Sequence, residues 1–238
     1  MKLNVGKERV LVIPDLQCPF EHKQAIPFLL AIKNRFKTSR VVCIGDSMDA
    51  HAMSRWAHDP DGMSAGDEYM ASLRSLRKLY KAFPNAQEVV SNHNDRIAKR
   101  VFGAGLPAAF MKRYEEIMEY PPGWSINRYI EIDGVIYEHG HSQGGVHAAY
   151  NLAAHNGKST VIGHHHSHAG IYYIANRQRM IFGMNAGCLI NIDAYAFAYA
   201  SEAKFKPTLG AGVVLQGVPY FIPMLLDSKG QWIGEIVA

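Results

Sequence analysis

Five short apolar runs in this chain stop, one after another, at acids, amides or imidazoles, and helix-patterned segments lie between most of them. The runs are "RVLVIPD" from Arg9, "RVVCIGD" from Arg40, "QEVVSNH" from Gln87, "RYIEIDGVIYEHG" from Arg128 and "STVIGHHH" from Ser159. Their shortness and β-branched content mark buried strands, and the fourth folds back at Asp133-Gly134 as a hairpin. Apolar residues at helical spacing fill 24–36, 67–83, 95–102, 106–119 and 145–155. After Ile171 the pattern turns to strands alone, "IYYIA", "RMIFGM", "AGVVLQ", "VPYFIPMLL" and "QWIGEIV", which read as a β meander. The expectation is an α/β chain: a layered α-β-β-α sandwich of two mixed sheets packed face to face with helices outside, in one domain spanning 1–238. "YPPGW" from Tyr120 and the segment 49–67, which contains "HDPDGMSAG", read as loops, the second placed to lie over a site at the strand ends.

Composition narrows the setting. Hydrophobic content of 48% and charged content of 19% are those of a globular protein with a large core. The longest apolar runs fall well short of the ~20 residues of a membrane span, and "MKLNVGKERVLVI" has no cleavage signal, so a cytoplasmic protein with no membrane partner is expected. Cys18, Cys43 and Cys188 lack pair spacing, which argues against disulfides and against a thiolate zinc site. A formal net charge of +4 permits a phosphate-bearing partner without demanding one. The oligomeric state leaves no trace in the sequence.

Open α/β sheets bind ligands beyond the carboxyl ends of their strands. There this chain puts Asp15 and Gln17, Asp46 and Asp49, Asn92 and His93, His139, and His164 and His166. Each has an ordinary structural explanation: Asn92 caps the next helix, "GDSMD" is a turn, His139 is a satisfied core residue, "HHH" is a solvated loop. Five such strand ends in one chain point instead to a shared site. Oxygen and nitrogen donors without a thiolate pair suit Mn, Fe, Ni or Zn, and a central carboxylate can bridge two ions.

In order and spacing, "DLQ" at Asp15, "GDSMD" at Gly45, "SNHN" at Ser91, "HGH" at His139 and "GHHH" at Gly163 resemble the signature of the calcineurin-like metallophosphoesterases: D-x-H, G-D-x-x-D, G-N-H-D/E, H-G and G-H-x-H. "MNAGCL" from Met184 is similar to a further family segment, so the resemblance covers most of the chain. It implies one metal site from Asp15, Gln17, Asp46 and His166 and a second from Asp46, Asn92, His139 and His164, with Asp46 bridging. Two divalent ions about 3.5–4 Å apart would clamp a phosphoryl group and supply the attacking hydroxide. His93 would protonate the leaving oxygen as general acid, and Asp49 would orient His93.

The departures are specific. Gln17 stands where the family has histidine, which implies weaker binding at the first site and a preference for Mn over softer ions. Ser91 replaces a glycine and Asn94 an acid, although Asp95 follows at once. Arg96, His141 and His165 lie near enough in sequence to these motifs to line the substrate pocket. The chain runs "DAH" after the second motif where phosphoprotein phosphatases of the family carry a phosphate-binding arginine. The expected function is therefore a dimetal phosphodiesterase or nuclease acting on DNA, RNA or a nucleotide diester, of the compact type found in phage and bacterial genomes. A phosphomonoesterase or phosphoprotein phosphatase is the enzymatic alternative. A non-catalytic interaction module on the same fold is another, and a metal-storage site a third.

Overall fold

A computed structural model describes residues 6–55, 61–194 and 205–237. Strand β1 (Arg9–Ile13) shows how the layers form. Val10 and Val12 point one way and Leu11 and Ile13 the other, and all four are buried, so the strand has apolar neighbours on both faces. Parallel to it lie β2 (Arg40–Cys43), β3 (Ala86–Val89) and β4 (Trp124–Asn127). On its other side β10 (Gly210–Leu215) and then β11 (Val218–Pro223) pair antiparallel, giving the order β11-β10-β1-β2-β3-β4. The second sheet runs β5 (Ile130–Ile132), β6 (Val135–Tyr137), β7 (Ser159–Ile162), β9 (Met180–Asn185) and β8 (Gly170–Ala175); β6, β7 and β9 are parallel. Its two edge strands are antiparallel to their neighbours.

Val10, Val12, Val42, Ile44 and Val89 meet Val135, Tyr137, Val161, Phe182 and Met184 between the sheets. The outer face of the first sheet packs Leu11, Ile13 and Cys43 against α1 (Ala25–Phe36), through Phe28, Leu29 and Ile32, and α2 (Ala65–Ala82), through Leu76 and Leu79. Helix α5 (Ala148–Asn156) covers the second sheet, Ala148, Ala149 and Leu152 lying on Ile162. It lies so close that a Cβ on Gly183 of β9 would stand 2.2 Å from the Ala149 carbonyl oxygen. The two mixed sheets with helices outside are those expected.

Several elements differ from expectation. The segment 106–119 is not one helix but a short 3-10 turn, Ala108–Phe110, and one turn of α4 (Tyr114–Ile117). Pro107 pushes Leu106 out of helical backbone, and Leu106 and Phe110 stay exposed, so no apolar stripe is buried to hold a longer helix. Strand β4 follows the "YPPGW" loop unannounced, because "WSIN" at a sheet edge buries Trp124 alone. The final strands form no meander: β8 and β9 close the second sheet, whereas the fully buried "GAGVV" of β10 returns to the first. "QWIGEIV" is no strand; it makes one bridge between Leu226 and Trp232, whose ring turns onto Phe28 at 5.5 Å. Of the segment 49–67, residues 51–53 form a 3-10 turn and helix α2 begins at Ala65, while 56–60, and with them the question of a cover over the site, lie outside the described residues.

A candidate metal centre at the strand ends

Beyond β1, β2 and β7 the backbone enters a region that side chains avoid. Gln17, Asp46 and His164 have φ of 51°, 49° and 65°. A left-handed non-glycine residue costs about 1–2 kcal/mol, and such residues gather at functional sites. Neighbouring bonds hold these three: the Gln17 amide donates to the Asp46 carbonyl at 2.8 Å and the His164 amide to Asp15 Oδ2 at 2.9 Å. Two glycines make room. A Cβ on Gly45, at φ 95°, would stand 2.7 Å from Ser91 Cβ and 3.0 Å from His139 Nδ1, and one on Gly163 would stand 2.3 Å from Asp15 Oδ1.

The side chains converge. One oxygen or nitrogen donor from each of Asp46, His139 and His164 lies within 4.8 Å of the others. His139 Nδ1 stands 2.9 Å from the Ile44 carbonyl oxygen, a contact that requires its proton there. The other nitrogen, Nε2, then faces two oxygens, Asn92 Oδ1 at 2.8 Å and Asp46 Oδ2 at 3.3 Å. Lone pairs aimed at one point require a proton or a cation between them. A proton can serve: burial disfavours charge on His139, but the Asp46 carboxylate outweighs it and carries the imidazole up to about 9. Burial also opposes charge on Asp46, and His139 nonetheless holds it well below the usual carboxylate range. His164 is held neutral, pushed down to about 3 by burial and then by His139, which leaves a lone pair free for a ligand.

Beside this group Asp15 Oδ2 lies 3.0 Å from His166 Nε2, and the Gln17 amide nitrogen 3.2 Å from the same atom. Asp15 Oδ1 and Gln17 Oε1 are buried with no hydrogen-bond partner. An unmet buried acceptor costs about 1–3 kcal/mol, so these oxygens fit a cation, with the Gln17 amide able to present its oxygen by a half turn. The donor set therefore accommodates divalent metal.

His93 is buried where β3 runs into α3 (Asn94–Gly103). Its Nε2 lies 3.5 Å from Asp46 Oδ2 and 2.7 Å from Arg96 Nη2, and its Nδ1 3.4 Å from Asp49 Oδ1. Arg96 donates to Asp49 Oδ1 at 2.6 Å and to the Asp49 carbonyl at 2.8 Å. Burial lowers His93 to about 3, Asp46 opposing and Arg96 assisting, so the imidazole is neutral and accepts from Arg96. Asp49 is pushed up to about 7 by burial, against the pull of Arg96. The capping role first open to Asn92 falls away, since its side chain turns to His139. Arg96 faces inward with its side chain 20% exposed. His141 and His165 flank the group, their rings 5.7 Å from His139 and 4.8 Å from His164, and His165 Nε2 meets the Gln143 carbonyl at 2.9 Å.

The supporting residues were missed from sequence. Fully buried Glu88 accepts from Ser47 Oγ at 2.7 Å and from the Tyr120 hydroxyl, anchoring the residue that follows Asp46. Glu68 of α2 accepts from the His51 and Ala52 amides at 2.6 and 2.7 Å, fixing the turn beyond Asp49. The signal for Glu88 was an acid directly before the apolar Val89 and Val90 in a central strand; Glu68 gave none.

No family model matches the chain. By sequence it is similar to the Gene 54 proteins of Mycobacterium phages D29 and L5. The first is 24% identical over 240 residues, covering 85% of this chain and 88% of that protein, and the second 24% identical over 230, covering 84% and 86%. Among solved structures, YfcE, a phosphoesterase from E. coli, aligns over 97% of this chain and 98% of its own at 13% identity and a TM-score of 0.43. Vacuolar Protein Sorting 29 from Cryptosporidium parvum aligns over 97% and 94% at 16% identity and a TM-score of 0.46.

Proposed function

We propose that this chain is a metal-dependent phosphoesterase of the calcineurin-like type, acting on phosphodiesters of nucleic acid or nucleotides. The observation that carries this reading is the convergence of Asp46, His139 and His164 donors within 4.8 Å, with His93 Nε2 only 3.5 Å from Asp46. Divalent ions, Mn²⁺ favoured over Fe, Ni or Zn, held by Asp15, Gln17, Asp46, Asn92, His139, His164 and His166, would supply charge to the phosphoryl oxygens and activate water.

The protein groups do the rest. Arg96 is the cation nearest His93, and a substrate phosphate competes with His93 for its guanidinium. Once Arg96 turns to the phosphate, His93 loses a neighbouring positive charge and gains a neighbouring anion, so its Nε2 takes up a proton. That proton passes to the leaving oxygen as the phosphorus–oxygen bond breaks, and Asp49 keeps Nδ1 of the ring in line. An acid of this kind matters most for a poor leaving group such as the sugar oxygen of a nucleic acid or nucleotide.

The test uses metal-stripped protein refilled with Mn²⁺, Ni²⁺ or Zn²⁺ and assayed on bis(p-nitrophenyl) phosphate beside p-nitrophenyl phosphate. A metal-dependent preference for the diester is expected. His93→Ala should keep its metal and lose ~10²–10⁴ in turnover, more on an alkyl ester than on the nitrophenyl ester, whose leaving group needs little help. Preference for the monoester moves the reading to a phosphomonoesterase, and absence of turnover with every metal to a binding module.

A further inference from the structure

We infer that a groove running from His139 to the Arg128–Tyr129 link is a binding site for unpaired nucleotides, so that single-stranded nucleic acid is the polymer this site takes; the inference rests on the phosphodiesterase reading. The link joins β4, at the edge of the first sheet, to β5, at the edge of the second. It bounds a groove of about 780 Å³ that His139 and His141 also line. Of the candidate donors, His139 alone lines it.

Of the three acids that line it, two are paired with lysines, and Glu138 keeps its charge against a neutral amide. Glu131 is met by Lys158 at 2.8 Å, Asp95 by Lys99 at 3.7 Å, and Glu138 accepts from the Asn156 amide at 2.7 Å. Arg128 is exposed, and no acid among the described residues pairs with it. Beside it Tyr129 is 58% exposed, an aromatic face left in water at the rim of a polar groove. A free guanidinium next to a bare ring is the pairing that binds one phosphate and stacks one base. The ring can stack only on a base that has left its partner, which selects a single strand over a duplex.

The test measures binding of a fluorescein-labelled, hydrolysis-resistant phosphorothioate 12-mer to the Mn²⁺-loaded protein by anisotropy, together with turnover of bis(p-nitrophenyl) phosphate, which carries no nucleobase. Tyr129→Ala should raise the Kd for the single strand roughly 5- to 100-fold, as loss of one stacked base does, and Tyr129→Trp should restore it. Arg128→Ala should weaken binding and reduce the slope of log K against log salt by about 1. Neither should alter kcat/KM for the small diester. Unchanged single-strand affinity in both alanine variants, or an equal loss for a duplex 12-mer, overturns the inference. Failure to hydrolyse the small diester while these Kd changes appear overturns the phosphodiesterase reading and leaves the groove standing.

Discussion

Gly163 is as much part of the site as any ligand, because Asp15 fills the place its side chain would take. In Gly163→Ala the new methyl would lie 2.3 Å from Asp15 Oδ1 and 2.7 Å from Ile44 Cγ2, so the Asp15 carboxylate has to shift. Overpacking of this kind costs about 1–3 kcal/mol. The variant should unfold at lower urea and also retain less Mn²⁺ after dialysis, since the carboxylate that moves is a proposed ligand; full metal content would show that Asp15 does not hold one. At this scale the sequence was informative, because each candidate donor sits in a short motif where a strand ends. Gln17 was visible as a departure, and the structure puts its amide beside His166. The inward turn of Arg96 onto Asp49 and His93 was not legible, since it depends on how α3 lies against the turn after β2.

Strand β3 is the element that ties the site to the fold. Its Glu88 holds Ser47 on one side and Tyr120 on the other, inside the protein. Burial, opposed by those two hydrogen bonds, carries the carboxyl from 4.5 to about 7. The folded state thus keeps a proton that the unfolded chain releases, and stability from this group is complete below pH 4.5 and declines as pH rises to 7. The whole decline is on the order of 3 kcal/mol. Glu88→Gln should flatten it, so the variant gains on wild type between pH 5 and pH 8 in paired urea titrations; parallel curves would remove the buried acid as their cause. Elements were legible where one pattern dominated, as in β1, β2, β7 and α2. They were not where most of a segment stays at the surface, as in 106–119, whose buried apolar anchor is Met118, or where a single side chain did the packing, as with Trp124 in β4 and Trp232 near the carboxyl end.

For the molecule as a whole, the donors come from both sheets: Asp15 and Asp46 follow strands of the first, His139, His164 and His166 strands of the second. A cation bound among them would add one more polar tie between two layers whose shared interior is apolar and whose strand ends are already joined by hydrogen bonds such as that of the His164 amide to Asp15. Mn²⁺ added to metal-stripped protein should raise Tm progressively, corresponding to about 2.7 kcal/mol at a hundredfold excess over Kd, and His139→Ala should abolish the rise. A Tm indifferent to Mn²⁺, Ni²⁺ and Zn²⁺ at millimolar levels would argue against a metal centre altogether. The same arrangement sets a timetable for synthesis. Residue 9 of β1 pairs with residue 215 of β10. Until the ribosome has released that late strand, one margin of β1 has no backbone partner, an exposed edge of the sort that invites pairing between chains. The growing chain can complete its proposed ligand set well before it can close its sheet.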